Sequence, residues 1–272
     1  MIIDTHVHTG GAAVGFDMTE EKVIAAMDKY GIDYSLVSNG DSGEMDHGQN
    51  LLPEETQMSQ EDALRDNIAM ARRHSGRIGL LVWVRPYHQT ATEELYELIN
   101  ENIDIIKGIK LHPFHSNVAP DSEKFSPFIE LARKFNFPIV SHTGGCEAAE
   151  PIHMYNAAKA NPDINFVMVH MGLGSDNSVA LDLLGKLPNL YGDTAWVPMA
   201  TTIEAYNRYG SKKMMFGSDM PIDGVDTYLC NPKGERSLYQ DYFHVLNKRI
   251  PKEAYDDLMF CNAIKIFNLE NL

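Results

Sequence analysis

Eight times along the chain, a short run of apolar and β-branched residues gives way to a stretch whose apolar positions recur every three to four residues. The runs that read as strands are 2–8, 33–38, 78–84, 105–111, 138–142, 166–170, 190–194 and 213–218. After the first comes a helix capped by Thr19, with Val23, Ile24 and Met27 on one face. The others are followed by helical stretches 59–74, 92–100, 122–135, 151–160, 176–186, 200–209 and 237–247. Strands separated by helices pair in parallel through crossovers. Eight such units favour a closed (β/α)8 TIM barrel, class α/β, over an open doubly wound sheet. Neither a Rossmann glycine fingerprint nor a Walker loop supports the open sheet. One domain spanning 1–272 is expected. The tail 251–272 reads as a C-terminal helical extension with Leu258, Ile264 and Phe267 facing the core, and 40–53 is the longest unpatterned loop and a candidate lid.

Length allows two readings, since 272 residues suit either one barrel or two small domains, and the eightfold alternation chooses the barrel. Acidic residues outnumber basic ones 38 to 23, a net charge of −15 with no basic patch, so nucleic acid is not an expected partner. Cys146, Cys230 and Cys261 are too few and too scattered for a disulfide framework or a four-sulfur metal site, which points to a reducing compartment. Asp4, His6 and His8 stand where a secretory signal needs its apolar run, and no apolar run reaches membrane-spanning length. A cytoplasmic location, no membrane partner and an unconstrained oligomeric state, homo-oligomer included, are the expectations.

The histidines carry the chemistry. In a parallel barrel, ligands bind where strands end at their carboxyl termini. His6 and His8 close the first strand, and their spacing of two puts both imidazoles on one face, able to grip one ion. The alternative is a pair satisfied by backbone carbonyls, but two imidazoles buried side by side leave costly polar atoms. His142 and His170 end the fifth and sixth strands, each close to a glycine. Singly, each is more often structural than a ligand; as a set, histidines at strand ends one, five and six are not what packing alone gives. Asp219 ends the eighth strand, which lies beside the first in a closed barrel, and an aspartate there can bind metal and carry a proton.

Five motifs stand in barrel order: Asp4-Thr-His-Val-His8, Gly108-Ile-Lys-Leu-His-Pro113, Ser141-His-Thr-Gly144, Val169-His-Met-Gly172 and Gly217-Ser-Asp-Met-Pro221. With the closing segment Asn262-Ala-Ile-Lys-Ile-Phe-Asn268, the chain resembles the amidohydrolase superfamily over essentially its whole length. The branch is the one that includes aminocarboxymuconate-semialdehyde decarboxylase and related hydrolases. The resemblance implies a divalent metal, most often zinc, held by His6, His8, His142 and Asp219, with His170 beside the metal-bound water. Asp219 and His170 are the implied catalytic residues. Two-metal relatives use a carbamylated fourth-strand lysine as a bridge, which makes Lys110 a candidate bridging ligand. A buried salt bridge is the competing role for Lys110, and one ion is favoured over two.

Arg85, at the end of the third strand, is a candidate for gripping a substrate carboxylate, and His112 shares a strand face with Lys110 as a second substrate contact. Trp196 either walls the pocket or packs, and Cys146 lines the site or does nothing. The expected substrate is a small, anionic molecule. Hydrolysis of a lactone, ester or amide by metal-activated water is placed ahead of non-oxidative decarboxylation, on the premise of an open, water-accessible ion. A TatD-type nuclease shares the His-x-His start but carries a glutamate at the fourth-strand end, where this chain has none. An inert barrel would need an altered ligand position, and none is altered.

Overall fold

The structure is a computed structural model that describes residues 1–222 and 238–272. Among these residues are eight strands: β1 (Ile3–Thr9), β2 (Tyr34–Asn39), β3 (Ile78–Trp83), β4 (Ile106–Leu111), β5 (Ile139–Gly144), β6 (Phe166–Leu173), β7 (Leu190–Asp193) and β8 (Met214–Met215). They pair in parallel in the order of the sequence. The seam between first and last is closed by residues around and beyond β8. Thr5 N–H donates to the Phe216 carbonyl at 3.0 Å, Asp219 N–H to that of His6 at 2.8 Å, and His8 N–H to that of Met220 at 2.9 Å. These bonds roll the sheet into a (β/α)8 barrel.

The crossovers are α1 (Glu20–Tyr30), α2 (Gln60–Arg73), α3 (Glu93–Glu101), α4 (Ser126–Phe135), α5 (Pro151–Ala160), α6 (Ser178–Leu184) and α7 (Met199–Tyr209), with α8 (Leu238–His244) after the last strand. Ser237, the expected first residue of that helix, lies outside the described residues. Three helices start where the sequence says they should. The side-chain oxygens of Thr19, Ser59 and Thr92 accept from the amides of Lys22, Asp62 and Leu95, each cap contributing about 1 kcal/mol. The C-terminal extension is α9 (Lys252–Asp256), a π turn (Asp257–Cys261) and α10 (Asn262–Ile266). No helix among the described residues is long and apolar enough to cross a membrane.

Two apolar clusters follow from strand alternation. One joins outward strand residues such as Val37, Val82, Ile109 and Met168 to the helices. The other gathers Ile3, Leu36, Leu81, Val140, Val169 and Met215 against Ala263, Ile266, Phe267 and Leu269, so the extension packs on the inward residues of the strands. The period of two is broken where it matters for the site. Asp4 pairs with Ser35 and Val7 with Val37, so β1 carries one more residue than β2 over that stretch. Such a bulge re-aims side chains, and it lets Ile3 and His6, three residues apart, point to the same interior. A second bulge sits between β3 and β4, where Leu80 and Leu81 pair with Ile106 and Gly108.

Candidate metal centre

Bulged β1 delivers His6 and His8 to one point. Their Nε2 atoms are 2.9 Å apart, and Asp219 Oδ1 lies 3.2 Å from the first and 3.1 Å from the second. Asp219 has a φ of 64°, a left-handed backbone that costs a non-glycine residue energy and is held by its surroundings. Asp4, wholly buried, supplies that hold: its Oδ1 accepts from the amides of His6 at 3.1 Å and Ser218 at 3.0 Å, tying β1 to the segment after β8. Burial pushes the Asp4 carboxyl up to about 7. Gly217 makes the seam possible, because a Cβ there would stand 2.9 Å from His6 Cβ and 3.0 Å from Asp193 Oδ2.

His170 reaches the same point by a different route. With Val169 inward, simple alternation would turn His170 out toward the helices. Its φ of 66°, followed by 52° at Met171, swings it inward, and β6 takes up two more residues than β5 between the His142 and Gly144 pairings. The amide of His170 donates to Asp193 Oδ1 at 2.9 Å, and its Nδ1–H donates to the Ala195 carbonyl at 3.0 Å, which leaves Nε2 bare. One ligand atom from each of His6, His170 and Asp219 lies within 4.8 Å of the others. His8 adjoins this trio through His6 and Asp219.

Burial disfavours every positive charge in the cluster. It lowers His6 well below the ordinary imidazole range, with Lys110 and the other histidines adding to the shift, lowers His8, and brings His170 down to about 4. Burial alone would raise Asp219, but the hydrogen bond from His8 and the nearby His170 and Lys110 bring it below the usual carboxylate value. Neutral imidazoles beside an ionised carboxylate are the protonation states that ligate a divalent ion. The orientation fits as well: His6 Nδ1–H donates to Asp193 Oδ2 at 2.9 Å and His8 Nδ1 meets Ser38 Oγ at 2.9 Å, so both present Nε2 to the centre. A carboxylate behind a histidine is a common outer partner of a metal ligand. The donor set therefore fits a divalent ion.

Lys110 is wholly buried, with Nζ 3.0 Å from His6 Nε2. Burial lowers its ammonium to about 8 against the opposing pull of Asp219 and Asp193. His142 lines the same pocket but is turned differently from the expected ligand: its Nε2 donates to the Gly144 carbonyl at 3.1 Å and its Nδ1 is buried without a partner. Its ring stands between those of His170, 4.7 Å away, and His112, 4.1 Å away. His112 in turn lies flat on Trp83, at 4.9 Å and 8°.

Arg85 is not brought to this pocket. Its guanidinium is taken up by the Met58 carbonyl and the side chains of Gln57 and Gln89, so the carboxylate grip expected of it is not part of the site assembled here. Trp196 does not line the pocket either, but its indole N–H donates to Asp219 Oδ2 at 2.7 Å. Cys146 is half-buried in the loop after β5, and Cys230 lies outside the described residues. The loop 40–53 does reach the site, with Gly40 and His47 in the pocket wall and its backbone tied to His115. Asp193, Ser38, Trp83 and His115 were missed by sequence reasoning, although Ser38 ends an expected strand and Asp193 stands one residue before the end of another, where the strand-end criterion applied to histidines comes close to finding them.

The pocket, about 180 Å³, opens over these donors at the carboxyl ends of the strands, where barrel enzymes hold their ligands. Known structures share the fold. The 5-carboxyvanillate decarboxylase of Sphingomonas paucimobilis superposes with a TM-score of 0.69 at 14% identity, covering 98% of each chain. The dihydroxybenzoic acid decarboxylase of Polaromonas sp. JS666, with bound manganese and an inhibitor, gives 0.69 at 14% identity, over 100% of this chain and 98% of that one. A probable 2-pyrone-4,6-dicarboxylic acid hydrolase from Acinetobacter baumannii gives 0.63 at 16% identity, over 98% and 99%. At such identities the likeness concerns the fold alone. None of the curated proteins compared with the chain matches it. The sequence model of the amidohydrolase family matches residues 3–269, and the chain belongs to that family.

Proposed function

We propose that this chain is a metal-dependent decarboxylase of small, flat, unsaturated or aromatic carboxylic acids. The observation that carries the reading is the wall around the donors. Trp83, His112 and His142 form a stack of rings, Phe16 and Phe114 also line the pocket, and the side chains of His6, His8 and Asp219 are at most 8% exposed. Placing hydrolysis first presumed an open, water-accessible ion; a buried donor set under an aromatic wall supports the reaction that needs no water added to the substrate. The family is metal-dependent, and fold neighbours that are decarboxylases and a probable hydrolase leave both reactions in view. Hydrolysis is the second reading: in it His170 stands beside the ion and not on it, and its bare Nε2, which suits accepting a proton from water, is what favours that reading.

One divalent ion is assigned to His6, His8, His170 and Asp219, and an imidazole-rich set suits zinc. When bound, the ion polarises a substrate oxygen. His6 and His8 are held with Nε2 forward by Asp193 and Ser38. Asp219 Oδ2 is held by Trp196; the carboxylate, ionised at rest, would first take a proton from solvent water and then hand it to the carbon that loses its carboxyl group. That carbon gains the proton, the bond to the carboxyl carbon breaks, and carbon dioxide leaves. Lys110 adds positive charge to a strongly acidic protein at the place where an anion must enter. It is read as an ammonium group and not as a carbamylated bridge.

The zinc- or manganese-loaded protein should be screened against unsaturated and aromatic carboxylic acids and against lactones and N-acyl compounds, in deuterated and in oxygen-18 water. Carbon dioxide release with deuterium at the carbon that bore the carboxyl group is expected. Oxygen-18 in a new carboxylate, with no carbon dioxide, would overturn the proposal in favour of hydrolysis.

A further inference from the structure

The left-handed pair His170 and Met171, which turns His170 inward, is held from outside its own strand. Two consecutive non-glycine residues at positive φ persist only where their surroundings over-determine them. Here each carbonyl from Val169 to Gly172 has a side-chain donor. Thr143 Oγ1 donates to the Val169 carbonyl at 2.6 Å and accepts from the Gly172 amide at 2.8 Å, so it brackets the turn. The Gly172 carbonyl takes the hydroxyl of Ser175 at 2.6 Å and its amide at 3.1 Å. The two carbonyls in between, those of His170 and Met171, accept from a single group, the side-chain amide of Asn177, at 3.3 and 3.0 Å.

Asn177 stands immediately before α6, where an asparagine ordinarily turns its side chain to the first amides of its own helix. This one does not cap α6. Its backbone is itself left-handed, with a φ of 63°, the residue is 5% exposed, and its Oδ1 meets Thr201 Oγ1 of α7 at 3.5 Å while the amide group points back to β6. Only its main chain serves the helix, the carbonyl accepting from the Leu181 amide at 2.9 Å. A residue suited to stabilising a helix start is thus turned to a strained turn one strand end away, and two carbonyls demand a side chain with two N–H donors. We propose that Asn177 is a positioning residue of the metal centre: by bonding the carbonyls of His170 and Met171 it keeps the His170 imidazole turned to the donor set of His6 and Asp219. The inference is independent of which reaction follows and rests on the assignment of His170 to the ion.

A double-mutant cycle on zinc affinity, read by competition with a chelator of known affinity, tests it without turnover. Asn177→Asp keeps the shape of the side chain, the capping ability and the tolerance of a left-handed backbone, but an ionised carboxylate offers the two carbonyls no donor. It should weaken zinc binding about tenfold in the parent protein. In a His170→Ala background the same substitution should change zinc binding by less than about twofold, because Asn177 acts through His170. Asn177→Gly, which suits the positive φ and removes the donor, should give the same pattern and carries the test if the aspartate variant does not fold. An equal loss of affinity in both backgrounds would show a general effect on the fold and refute the positioning role. So would an Asn177→Asp protein that binds zinc within about twofold of the parent while His170→Ala binds it less tightly. Should His170→Ala itself leave zinc affinity unchanged, His170 is not a ligand, and the proposal falls with that assignment.

Discussion

Replacing Asp193 by asparagine turns an acceptor into a donor at the one atom that faces His6 Nδ1, 2.9 Å away. The other oxygen, which accepts from the amides of His170 at 2.9 Å and Ala195 at 3.3 Å, can be kept by the new side chain, so the backbone after β6 and β7 stays supported. His6 must then either face a donor with a donor or move its proton to Nε2. That nitrogen stands 2.9 Å from His8 Nε2 and 3.2 Å from Asp219 Oδ1, at the centre of the donor set, and a proton there blocks coordination. Loss of a partner behind a ligating histidine typically lowers metal affinity 10- to 100-fold, about 1.4–2.7 kcal/mol. The metal-free fold should lose much less, because the variant also removes a buried carboxyl group whose ionisation burial already opposes. Competition with a chelator of known affinity measures zinc binding in parent and variant, and urea unfolding of the metal-free proteins measures the fold. An Asp193→Asn protein that binds zinc within about twofold of the parent would refute the claim that Asp193 sets the tautomer of His6.

Three further outcomes are expected. Trp196→Phe removes the indole donor to Asp219 Oδ2 and should lower kcat about tenfold on an identified substrate while KM changes little; an unchanged kcat would make Trp196 a packing residue. Gly217→Ala places a methyl group 2.9 Å from His6 Cβ and 3.0 Å from Asp193 Oδ2, and should cost about 1–3 kcal/mol in urea unfolding together with weaker zinc binding. His115 is held down to about 4, chiefly by burial, whereas in the unfolded chain it titrates near 6.5. Between these values the unfolded chain binds a proton that the folded one does not, so this contribution is complete above pH 6.5 and is lost as pH falls toward 4, by about 1.4 kcal/mol per unit at most. His115→Asn should flatten that part of the pH profile of metal-free unfolding, and an unaltered profile would remove His115 as its source.

What the sequence determined by itself was whatever depends on near neighbours in the chain. Period-two and period-3.6 patterning marked the eight strand and helix units, Thr19, Ser59 and Thr92 marked helix starts, and the tail signalled helices whose apolar residues pack on the strands. Histidines at the ends of the first, fifth and sixth strands and an aspartate after the eighth marked the face that would carry chemistry. The tertiary structure decided which of those side chains meet. A single extra residue in β1 puts Ile3 and His6 on one face, and a left-handed backbone at His170 turns inward a residue that alternation would turn out. It replaced the expected neighbourhood of His142 with a ring stack and a bond to Gly144, gave Arg85 to Met58 and Gln57, and set Asp193 behind His6, a partner 187 residues away. Periodicity reports the direction of a side chain only while the backbone stays regular. Bulges, positive φ angles and hydrogen bonds between distant strands depend on how the closed barrel distributes its strain and satisfies its buried polar groups, and no local pattern records them.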